Sequence, residues 1–594
     1  MIRTPLRPLA RVLDAREKGE DPDVIEAQRR AARNHAIQAK MRNRAEFRLI
    51  VLGVAFLMAF GTVGTRMAML ASSVPEEPRA EASGSRILNQ RADIVDRNGH
   101  VLATNLATMA LYAQPPLMVE PEKAANALAD MFPDLDRERM IADFTGGKRK
   151  FLWIKKKLSP EQRQQIHDLG EPGLLFGPRE MRLYPNGRLA AHVLGGASFG
   201  KEGVSSAEVI GVAGVEKEFD DLLRNPELDG KPLELSIDMT AQSTMRHVLE
   251  GGMKLMEAKG AAAVLMDVHT GEVLSLVSLP DFDPNNRPLP PVSGDPSESP
   301  LFNRASQGVY ELGSTFKLFA AAASLDRNLV NLDTMIETAG PLRFGKFKIR
   351  DFHNYGAQLS VREVIVKSSN IGTARMALAA GSNLQQQVLQ QLGFFDPVPV
   401  ELPEAKQAKT LLPKKWGELS TMTISYGHGI AATPLHLAAA YSTLVNGGYK
   451  VKPTLLKQFG VDPSSEQIFS ARTSAQIREL MREVVVRGTA SLGEVEGYQV
   501  GGKTGTANKP KPNGGYYDKK VISTFAGAFP MSDPKYVLVV TLDEPSITAY
   551  GEERRTAGWT AVPVAAEIVT RVAPILGMRP IDEGRTIDYT QASN

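Results

Sequence analysis

Near the middle of the chain stands Gly313-Ser-Thr-Phe-Lys-Leu-Phe-Ala-Ala-Ala-Ala-Ser-Leu325, which is apolar around nearly its whole circumference. This composition predicts a buried helix over Phe316–Leu325. Ser314 falls at the positive end of that helix, where free backbone N–H groups can stabilise a developing oxyanion. Lys317 lies three residues further on, on the same face and within reach of the Ser314 hydroxyl. Burial disfavours the charged ammonium and lowers the pKa of Lys317, so the pair is a candidate nucleophile and base.

The Ser-x-x-Lys spacing is weak evidence alone, because the chain contains it three times. Ser198–Lys201 is expected in a glycine-rich surface turn, and Ser532–Lys535 contains an Asp-Pro turn. Gly196–Gly200 also matches the nucleophile elbow of serine hydrolases, but the polar, glycine-broken segment after it does not predict the required helix. Gly497–Thr504 matches a phosphate loop, but Thr504–Gly515 cannot form the helix that binds the phosphate. Both matches are therefore interpreted as coincidental.

Two further motifs give the Ser314 site its specificity. Ser368-Ser369-Asn370 is the only Ser-x-Asn in the chain and begins a second helical stretch, Ile371–Ala380. Lys503-Thr504-Gly505-Thr506 is the only Lys-Thr-Gly and lies in a predicted strand. Ser-x-x-Lys, Ser-x-Asn and Lys-Thr-Gly in this order are the motif set of β-lactamases and penicillin-binding proteins.

From residue 86 onward the chain resembles the class B penicillin-binding proteins, the D,D-transpeptidases of peptidoglycan synthesis. Tyr310–Lys317 fits the nucleophile motif of that family, with Leu312 in place of the usual proline. Three signatures of the family's non-catalytic pedestal are also present, the first with Ala92 where glycine is usual. They are Arg91–Gly99, Arg182–Gly187 and Gly211–Glu216.

The hydrophobic pattern of the second half predicts an α+β fold. Five strands are expected, and the resemblance implies that they form one antiparallel sheet between helix clusters. The strands are Ala261–Val268, Val273–Leu279, Tyr498–Thr506, Ser523–Phe529 and Tyr536–Leu542. The covering helices are Phe316–Leu325, Pro434–Asn446 and Val562–Val572.

A single transmembrane helix is predicted before the pedestal. Leu49–Thr65 carries no charge, and with Arg66 snorkelling the span reaches Leu70, about 33 Å of helix. Residues 29–48 carry seven basic residues against one acidic residue, which places the preceding tail in the cytoplasm. The predicted parts are a cytoplasmic tail (1–48), the span (49–70), a linker and elongated pedestal (71–228), a transpeptidase domain (229–580) and a C-terminal tail (581–594).

The resemblance implies a serine-type D-Ala-D-Ala transpeptidase that β-lactams inhibit. Ser314 would be the nucleophile and Lys317 the base, Ser368 would relay a proton, and Asn370 would hold a stem amide. Lys503, Thr504 and Thr506 would bind the terminal carboxylate, with Gly505 between them. The Ser-Ser-Asn-Ile-Gly-Thr and Lys-Thr-Gly-Thr-Ala-Asn-Lys runs favour the division type. An elongation-type enzyme of the lateral wall that determines cell shape, a hydrolytic relative and a non-enzymatic divisome scaffold remain alternatives.

Overall composition limits the partners. The net charge is +3 and there are no cysteines, so neither nucleic-acid binding nor thiol chemistry is expected. The resemblance implies no cofactor and no metal. The implied partners are stem peptides, lipid-linked glycan strands, divisome proteins and a membrane-embedded septal glycosyltransferase (FtsW-like). The implied location is the bacterial inner membrane at the division site, with the catalytic domain in the periplasm.

Overall fold

The computed structural model describes residues 14–72, 91–147, 149–202, 207–225, 230–460, 462, 464–511 and 513–581. The chain forms two compact units, Met1–Arg86 and Ile87–Asn594. Most of the predicted linker and C-terminal tail lie outside the described residues. The mixture of helices and strands agrees with the α+β class that the sequence predicts.

The first unit contains one long helix, α1 (Pro22–Ser72). Among the described residues it is the one helix that is long and apolar enough to cross a membrane, by length and composition. The predicted span over residues 49–70 lies inside it, but the helix begins much earlier than the apolar run. The basic segment before the run is rich in Ala, Arg and Gln, which favour helix, and an Arg42–Glu46 ion pair (3.0 Å) adds support.

The second unit begins with the part of the chain that was predicted to be a pedestal. Its strands β1–β4 and β7 form one sheet in the order β3-β2-β1-β7, with β4 also paired to β2. The hairpin β5–β6 is separate. The strands are β1 (Ile94–Val95), β2 (Val101–Ala113), β3 (Leu152–Leu158), β4 (Leu174–Leu183), β5 (Gly196–Glu202), β6 (Ala207–Ala213) and β7 (Leu233–Glu234).

Three short helices pack against this sheet and bury a small apolar core around Leu111, Leu128 and Phe144. They are α2 (Pro121–Met131), α3 (Arg137–Thr145) and α4 (Pro160–His167). The other short helices contribute buried residues to the main apolar core of the second unit: α5 (Ala191–Leu194), α6 (Gly214–Glu218) and α7 (Asp220–Leu223). Each of α3 and α4 begins at a side-chain cap, Asp136 and Ser159 respectively.

The three pedestal signatures meet in a buried cluster of charges. Glu216 accepts from Arg91 Nε and from Arg182 Nε, both at 2.7 Å, and from the Tyr184 hydroxyl at 3.3 Å. Arg91 also donates to Asp220 at 2.7 Å. The Glu216 carboxylate is fully buried, so its charge depends on the two guanidinium groups. Segments 125 residues apart in sequence are thereby tied together.

The expected surface turn at Gly196–Gly200 is wrong, because this segment lies in β5 and pairs with β6. The next described element after β5 is a second strand, β6, and the residues described around it do not form the helix that a nucleophile elbow requires. In the paired strand β6, Gly211 allows close packing, since a Cβ there would overlap the Glu216 carbonyl oxygen.

The remainder of the second unit is built on a five-stranded antiparallel sheet in the order β14-β15-β16-β8-β9, which confirms the predicted architecture. Successive residues of the three strands β8, β9 and β16 are nearly all buried, so both faces of the sheet are covered. The strands are β8 (Gly260–Asp267), β9 (Val273–Leu279), β14 (Gly501–Pro510), β15 (Tyr516–Phe529) and β16 (Tyr536–Asp543).

The covering helices include α8, α14 and α16, which contact the sheet directly, and α9, which lies among the other helices. The helices are α8 (Met239–Leu255), α9 (Lys317–Asp326), α10 (Val361–Val366), α11 (Asn370–Ala380), α12 (Ser382–Gln391), α13 (Glu418–Ser425), α14 (Pro434–Val445), α15 (Ala471–Arg487) and α16 (Ala561–Ile575). Three two-stranded pieces complete the unit: β10 (Met335–Glu337) with β13 (Gln358–Ser360), β11 (Leu342–Phe344) with β12 (Phe347–Ile349), and β17 (Ile547–Ala549) with β18 (Glu552–Arg554).

Pedestal and catalytic residues are joined by several polar contacts. Asn98 donates to Asp238 at 3.0 Å, and the Gly214 N–H donates to Glu404 at 2.9 Å. Strand β7 pairs in parallel with β1 and so belongs to the pedestal sheet although it comes after residue 228. The domain boundary at 228/229 stays a prediction.

Candidate active site

The candidate nucleophile lies in a tight turn that leads into a buried helix. Gly313–Phe316 forms a 3-10 turn, and α9 comes directly after it. The turn is fixed from both sides, because the Thr315 hydroxyl donates to the Leu312 carbonyl at 3.0 Å and the Tyr441 hydroxyl donates to the Thr315 carbonyl at 2.8 Å. Ser314 itself is half-buried.

Two glycines let this turn and strand β14 approach each other closely. A Cβ at Gly313, where φ is +58°, would lie 2.9 Å from the Thr506 carbonyl oxygen. A Cβ at Gly505 would overlap the Leu312 carbonyl oxygen. Neither position tolerates a side chain without displacing backbone. The glycine of the Lys-Thr-Gly motif thus brings the Thr506 backbone beside the Ser314 turn.

The structure brings Lys317, Ser368 and Lys503 into one cluster. The Lys317 amine lies 3.0 Å from the Ser368 hydroxyl and also contacts the Ser368 carbonyl. The Lys503 amine lies 2.9 Å from the same hydroxyl and 3.2 Å from the Thr504 carbonyl. One hydroxyl therefore bridges two amines that belong to distant segments of the sequence.

Both amines are fully buried, and no carboxylate of a described residue forms an ion pair with either. Burial, and then the nearby charge of Lys503, hold the pKa of Lys317 well below its usual value, with Asp351 opposing the shift. Burial alone lowers the pKa of Lys503 to about 7. Two adjacent buried ammonium groups disfavour each other, so the pair holds its protons less tightly than two exposed lysines would.

The predicted direct contact between Lys317 and the Ser314 hydroxyl is not formed: among the described residues, the side-chain hydrogen bonds of the Lys317 amine go to Ser368. A candidate base that does not contact the nucleophile in the absence of substrate can still serve, because catalytic hydrogen bonds often form only when substrate binds.

Ser368 is held in a backbone conformation that side chains rarely adopt, with φ at +62°. The neighbouring residues enforce it through Asp351, which accepts from the Ser369 hydroxyl at 2.6 Å and from the Ile371 N–H at 3.0 Å. The Ser369 hydroxyl also caps α11 by accepting from the Gly372 N–H at 2.9 Å. This packing points the Ser368 hydroxyl towards the two lysines.

The side chains of the other predicted site residues have hydrogen-bond partners outside the Lys317–Ser368–Lys503 cluster. The Asn370 side chain donates to the Arg350 carbonyl at 2.9 Å. The Thr504 hydroxyl is 2.6 Å from the Thr489 hydroxyl, and the Thr506 hydroxyl accepts from the Ala557 N–H at 3.0 Å. Both threonines therefore have structural partners.

Strand β14 is an edge strand of the sheet, paired only with β15 among the described strands. The Ser314 turn packs against β14, and the backbone groups on the unpaired edge of β14 can receive an extended peptide as an added strand. Such a peptide would pass the Ser314 hydroxyl and the Lys317–Ser368–Lys503 cluster. The arrangement suits acyl transfer on a peptide.

Sequence reasoning missed a second group of side chains beside the turn. Glu311 accepts from the Tyr516 hydroxyl and from the Gly429 N–H, both at 2.9 Å. The His428 ring packs against Tyr516, and burial lowers its pKa, opposed by Glu311. Asp351 was missed as well, because it lies 18 residues before its partner Ser369 and belongs to no local pattern.

Comparison with known proteins identifies the two halves of the second unit. The family profile described as the penicillin binding protein transpeptidase domain matches residues 261–569. The profile described as the penicillin-binding protein dimerisation domain matches residues 86–227.

Several similar curated proteins are named as transpeptidases. The probable peptidoglycan D,D-transpeptidase FtsI of Caulobacter vibrioides is 36% identical over 508 residues, covering 84% of this chain and 83% of that protein. The probable peptidoglycan D,D-transpeptidase PenA of Neisseria meningitidis is 32% identical, covering 82% and 85%. The peptidoglycan D,D-transpeptidase FtsI of Escherichia coli is 27% identical, covering 83% and 85%.

Among solved structures, penicillin binding protein 3 of Mycobacterium tuberculosis complexed with aztreonam superposes with a TM-score of 0.63. The match is 23% identical and covers 83% of this chain and 97% of that one. At this identity the likeness supports the fold.

Proposed function

The chain belongs to the penicillin-binding protein transpeptidase family, and from this premise we propose that it is a peptidoglycan D,D-transpeptidase of cell division that works through an acyl-enzyme on Ser314. One observation carries the proposal. The Ser368 hydroxyl bridges two buried amines, Lys317 and Lys503, beside the turn that presents Ser314. Such a cluster supplies a base and a proton relay at neutral pH.

In the first half-reaction Ser314 attacks the carbonyl of the penultimate D-alanine of a pentapeptide stem. Lys317 accepts the hydroxyl proton, which its lowered pKa permits. The Ser314 and Thr506 N–H groups stabilise the oxyanion, each contributing on the order of 3 kcal/mol. The close packing of Gly313 against the Thr506 backbone supports this pairing of donors.

The leaving D-alanine takes its proton from Ser368. The two lysine amines contact the Ser368 hydroxyl oxygen. Ser368 therefore gives its proton to the leaving amine and takes a proton from the Lys317 ammonium. Lys503, Thr504 and Thr506 bind the terminal carboxylate, with Gly505 allowing the close backbone approach, and Asn370 holds a stem amide. To do so, the Asn370 and threonine side chains exchange their present partners for the substrate.

In the second half-reaction the amine of a neighbouring stem attacks the acyl-enzyme and forms the cross-link. One amide is exchanged for another, so the reaction needs no nucleotide. β-Lactams acylate Ser314 because they present a strained amide and a carboxylate to the same groups.

The membrane-spanning helix determines where in the cell the enzyme acts. Helix α1 holds the enzyme in the bacterial inner membrane, with the basic N-terminal tail in the cytoplasm and the second unit in the periplasm. There the pedestal docks a membrane-embedded septal glycosyltransferase and other divisome proteins. Depletion tests the division role: filamentous cells are expected, and rounded cells would show an elongation enzyme instead.

Labelling with a fluorescent penicillin tests the nucleophile. Ser314→Ala is expected to abolish covalent label, whereas Ser532→Ala, the serine of another Ser-x-x-Lys pattern, is expected to label like the unmodified protein. Label retained in Ser314→Ala would refute the assignment. Adduct turnover within seconds would indicate a β-lactamase.

A further inference from the structure

A small hairpin beside the Ser-Ser-Asn segment carries a cationic surface that acylation does not use. Strands β11 and β12 pair through the contacts Leu342↔Ile349, Arg343↔Lys348 and Phe344↔Phe347. With Lys346 in the turn and Arg350 just after it, the run 341–350 holds four cations and no acidic residue. We call this run the cationic hairpin.

The two faces of the cationic hairpin differ, because side chains alternate along a strand. Arg343 and Lys348 lie directly opposite each other on one face. Leu342 and Ile349 lie on the other face and pack into an apolar cluster with Ile371. One face is therefore anchored, and the other presents two cations to solvent.

The opposed cations destabilise the hairpin itself, since like charges directly across a strand pair repel. All four cations are exposed, and none of them forms an ion pair with a carboxylate of the described part of the chain. The Lys346 amine lies 5.7 Å from the Phe347 ring. A repulsion without internal compensation indicates an anionic partner outside the chain.

The hairpin is tied to the catalytic segment at its root. The Arg350 carbonyl accepts from the Asn370 side chain at 2.9 Å. The next residue, Asp351, accepts from the Ser369 hydroxyl and the Ile371 N–H. A ligand on the hairpin is thus held beside the residue that contacts both catalytic lysines, Ser368.

We propose that the cationic hairpin binds the side carboxylates of the peptidoglycan stem peptide, with Arg343 and Lys348 forming the anion site. This inference rests on the proposed function. It adds a subsite for carboxylates other than the terminal one, which Lys503 and its neighbours bind. Arg343 can grip a carboxylate bidentately, and Lys348 adds a point charge.

The experiment compares the affinity of the full-length protein for two synthetic glycan strands. Both carry pentapeptide stems with a free terminal carboxylate, but one has D-glutamate and the other has D-isoglutamine at the second stem position. The unmodified protein is expected to bind the D-glutamate strand about tenfold more tightly. Arg343→Gln/Lys348→Gln is expected to lose this preference, and R343E/K348E is expected to reverse it.

Two controls separate this inference from the proposed function. The rate of Ser314 acylation by benzylpenicillin is expected to stay within about twofold in all hairpin variants, because the site chemistry is intact. Lys217→Glu/Lys231→Glu, which changes the net charge by the same amount as R343E/K348E but outside the hairpin, is expected to keep the preference for D-glutamate. Loss of acylation in Ser314→Ala tests the proposed function alone.

Several results would overturn the proposal. One is an equal affinity of the unmodified protein for both strands. Another is a preference for D-glutamate that survives in Arg343→Gln/Lys348→Gln. A third is binding of phosphatidylglycerol vesicles that depends on the hairpin while strand binding does not, since this would assign the surface to anionic lipid.

Discussion

Two buried clusters of cations lie in this molecule, and they differ in what faces them. In the pedestal, Arg91 and Arg182 both bond to the Glu216 carboxylate at 2.7 Å. In the catalytic domain, Lys317 and Lys503 share only the hydroxyl of Ser368. Both clusters join segments that are distant in sequence, and both are almost fully shielded from water.

The difference separates a structural role from a chemical one. A buried cation that is paired with a carboxylate keeps its charge and fixes the segments that carry it. A buried amine without a carboxylate loses affinity for its proton, which makes it a base at neutral pH. The same burial therefore stabilises charge in one cluster and removes it in the other.

Glu216→Gln should show the largest effect on stability. The substitution leaves Arg182 without its carboxylate and Arg91 with Asp220 alone, and we expect the free energy of unfolding to fall by about 3–5 kcal/mol. Denaturant titration measures this change in the free energy of unfolding. The rate of penicillin acylation of the protein that remains folded should not change.

Glu218→Gln is the matched control for Glu216→Gln. Glu218 pairs with Lys406 at a partly exposed position, and its loss should change stability by less than about 1 kcal/mol. Equal effects of the two substitutions would mean that the buried cluster contributes no more than a surface pair.

Lys317→Met should show the largest effect on chemistry. If Lys317 is the base that we propose, acylation of Ser314 by a β-lactam should slow by about 10²–10⁴-fold. Stability should be unchanged or higher, because a buried amine is replaced by an apolar side chain of similar length. Stopped-flow acylation and denaturant titration measure the two quantities. Lys367→Met, which removes an exposed lysine next to Ser368, should leave both nearly unchanged.

Ser368→Asp converts the catalytic cluster into one that resembles the pedestal cluster. A carboxylate between the two amines favours their charged forms and raises the pKa of both. We expect acylation at neutral pH to slow by about 10–100-fold and to recover as the pH is raised. Ser368→Ala should slow acylation without moving its pH dependence. A pH dependence that is the same in both variants would contradict the interpretation that a carboxylate between the two amines raises their pKa.

The lysines should also make stability depend on pH, by a smaller amount. The pKa of Lys503 is about 7 in the folded protein and near 10.5 when unfolded, so between these values the unfolded chain binds more protons. The free energy of unfolding should therefore rise with pH across this window, by at most about 1.4 kcal/mol per pH unit for this group. The difference between the unmodified protein and Lys503→Met, measured from pH 7 to 10, isolates the contribution. A flat difference would mean that Lys503 is not perturbed.

Much of the catalytic sheet could be predicted because its strands are local apolar runs. Val273–Leu279 has the predicted bounds, and β8 differs from its prediction by one residue at each end. Strand β14 was predicted to begin at Tyr498 but begins at Gly501. Gln499, with φ at +43°, turns the chain just before the strand, and no residue type signals this turn.

The site was harder to predict than the sheet because its geometry is tertiary. The motifs named Ser314, Lys317, Ser368 and Lys503, but the sharing of one hydroxyl by two amines depends on the packing of three distant segments. Spacing on a helix suggested that Lys317 would reach Ser314, whereas the positive φ of Ser368 brings that residue to Lys317 first.

The most direct test of the central claim is the pH dependence of Ser314 acylation, measured with a β-lactam whose own ionisation is constant from about pH 5 to 10. If burial without a carboxylate ion pair lowers the pKa of Lys317, the rate should rise about tenfold per pH unit at low pH and level off well below pH 10.5. A rate that keeps rising towards pH 10.5, the usual pKa of lysine, would contradict the claim, as would a profile that Lys317→Met leaves unchanged.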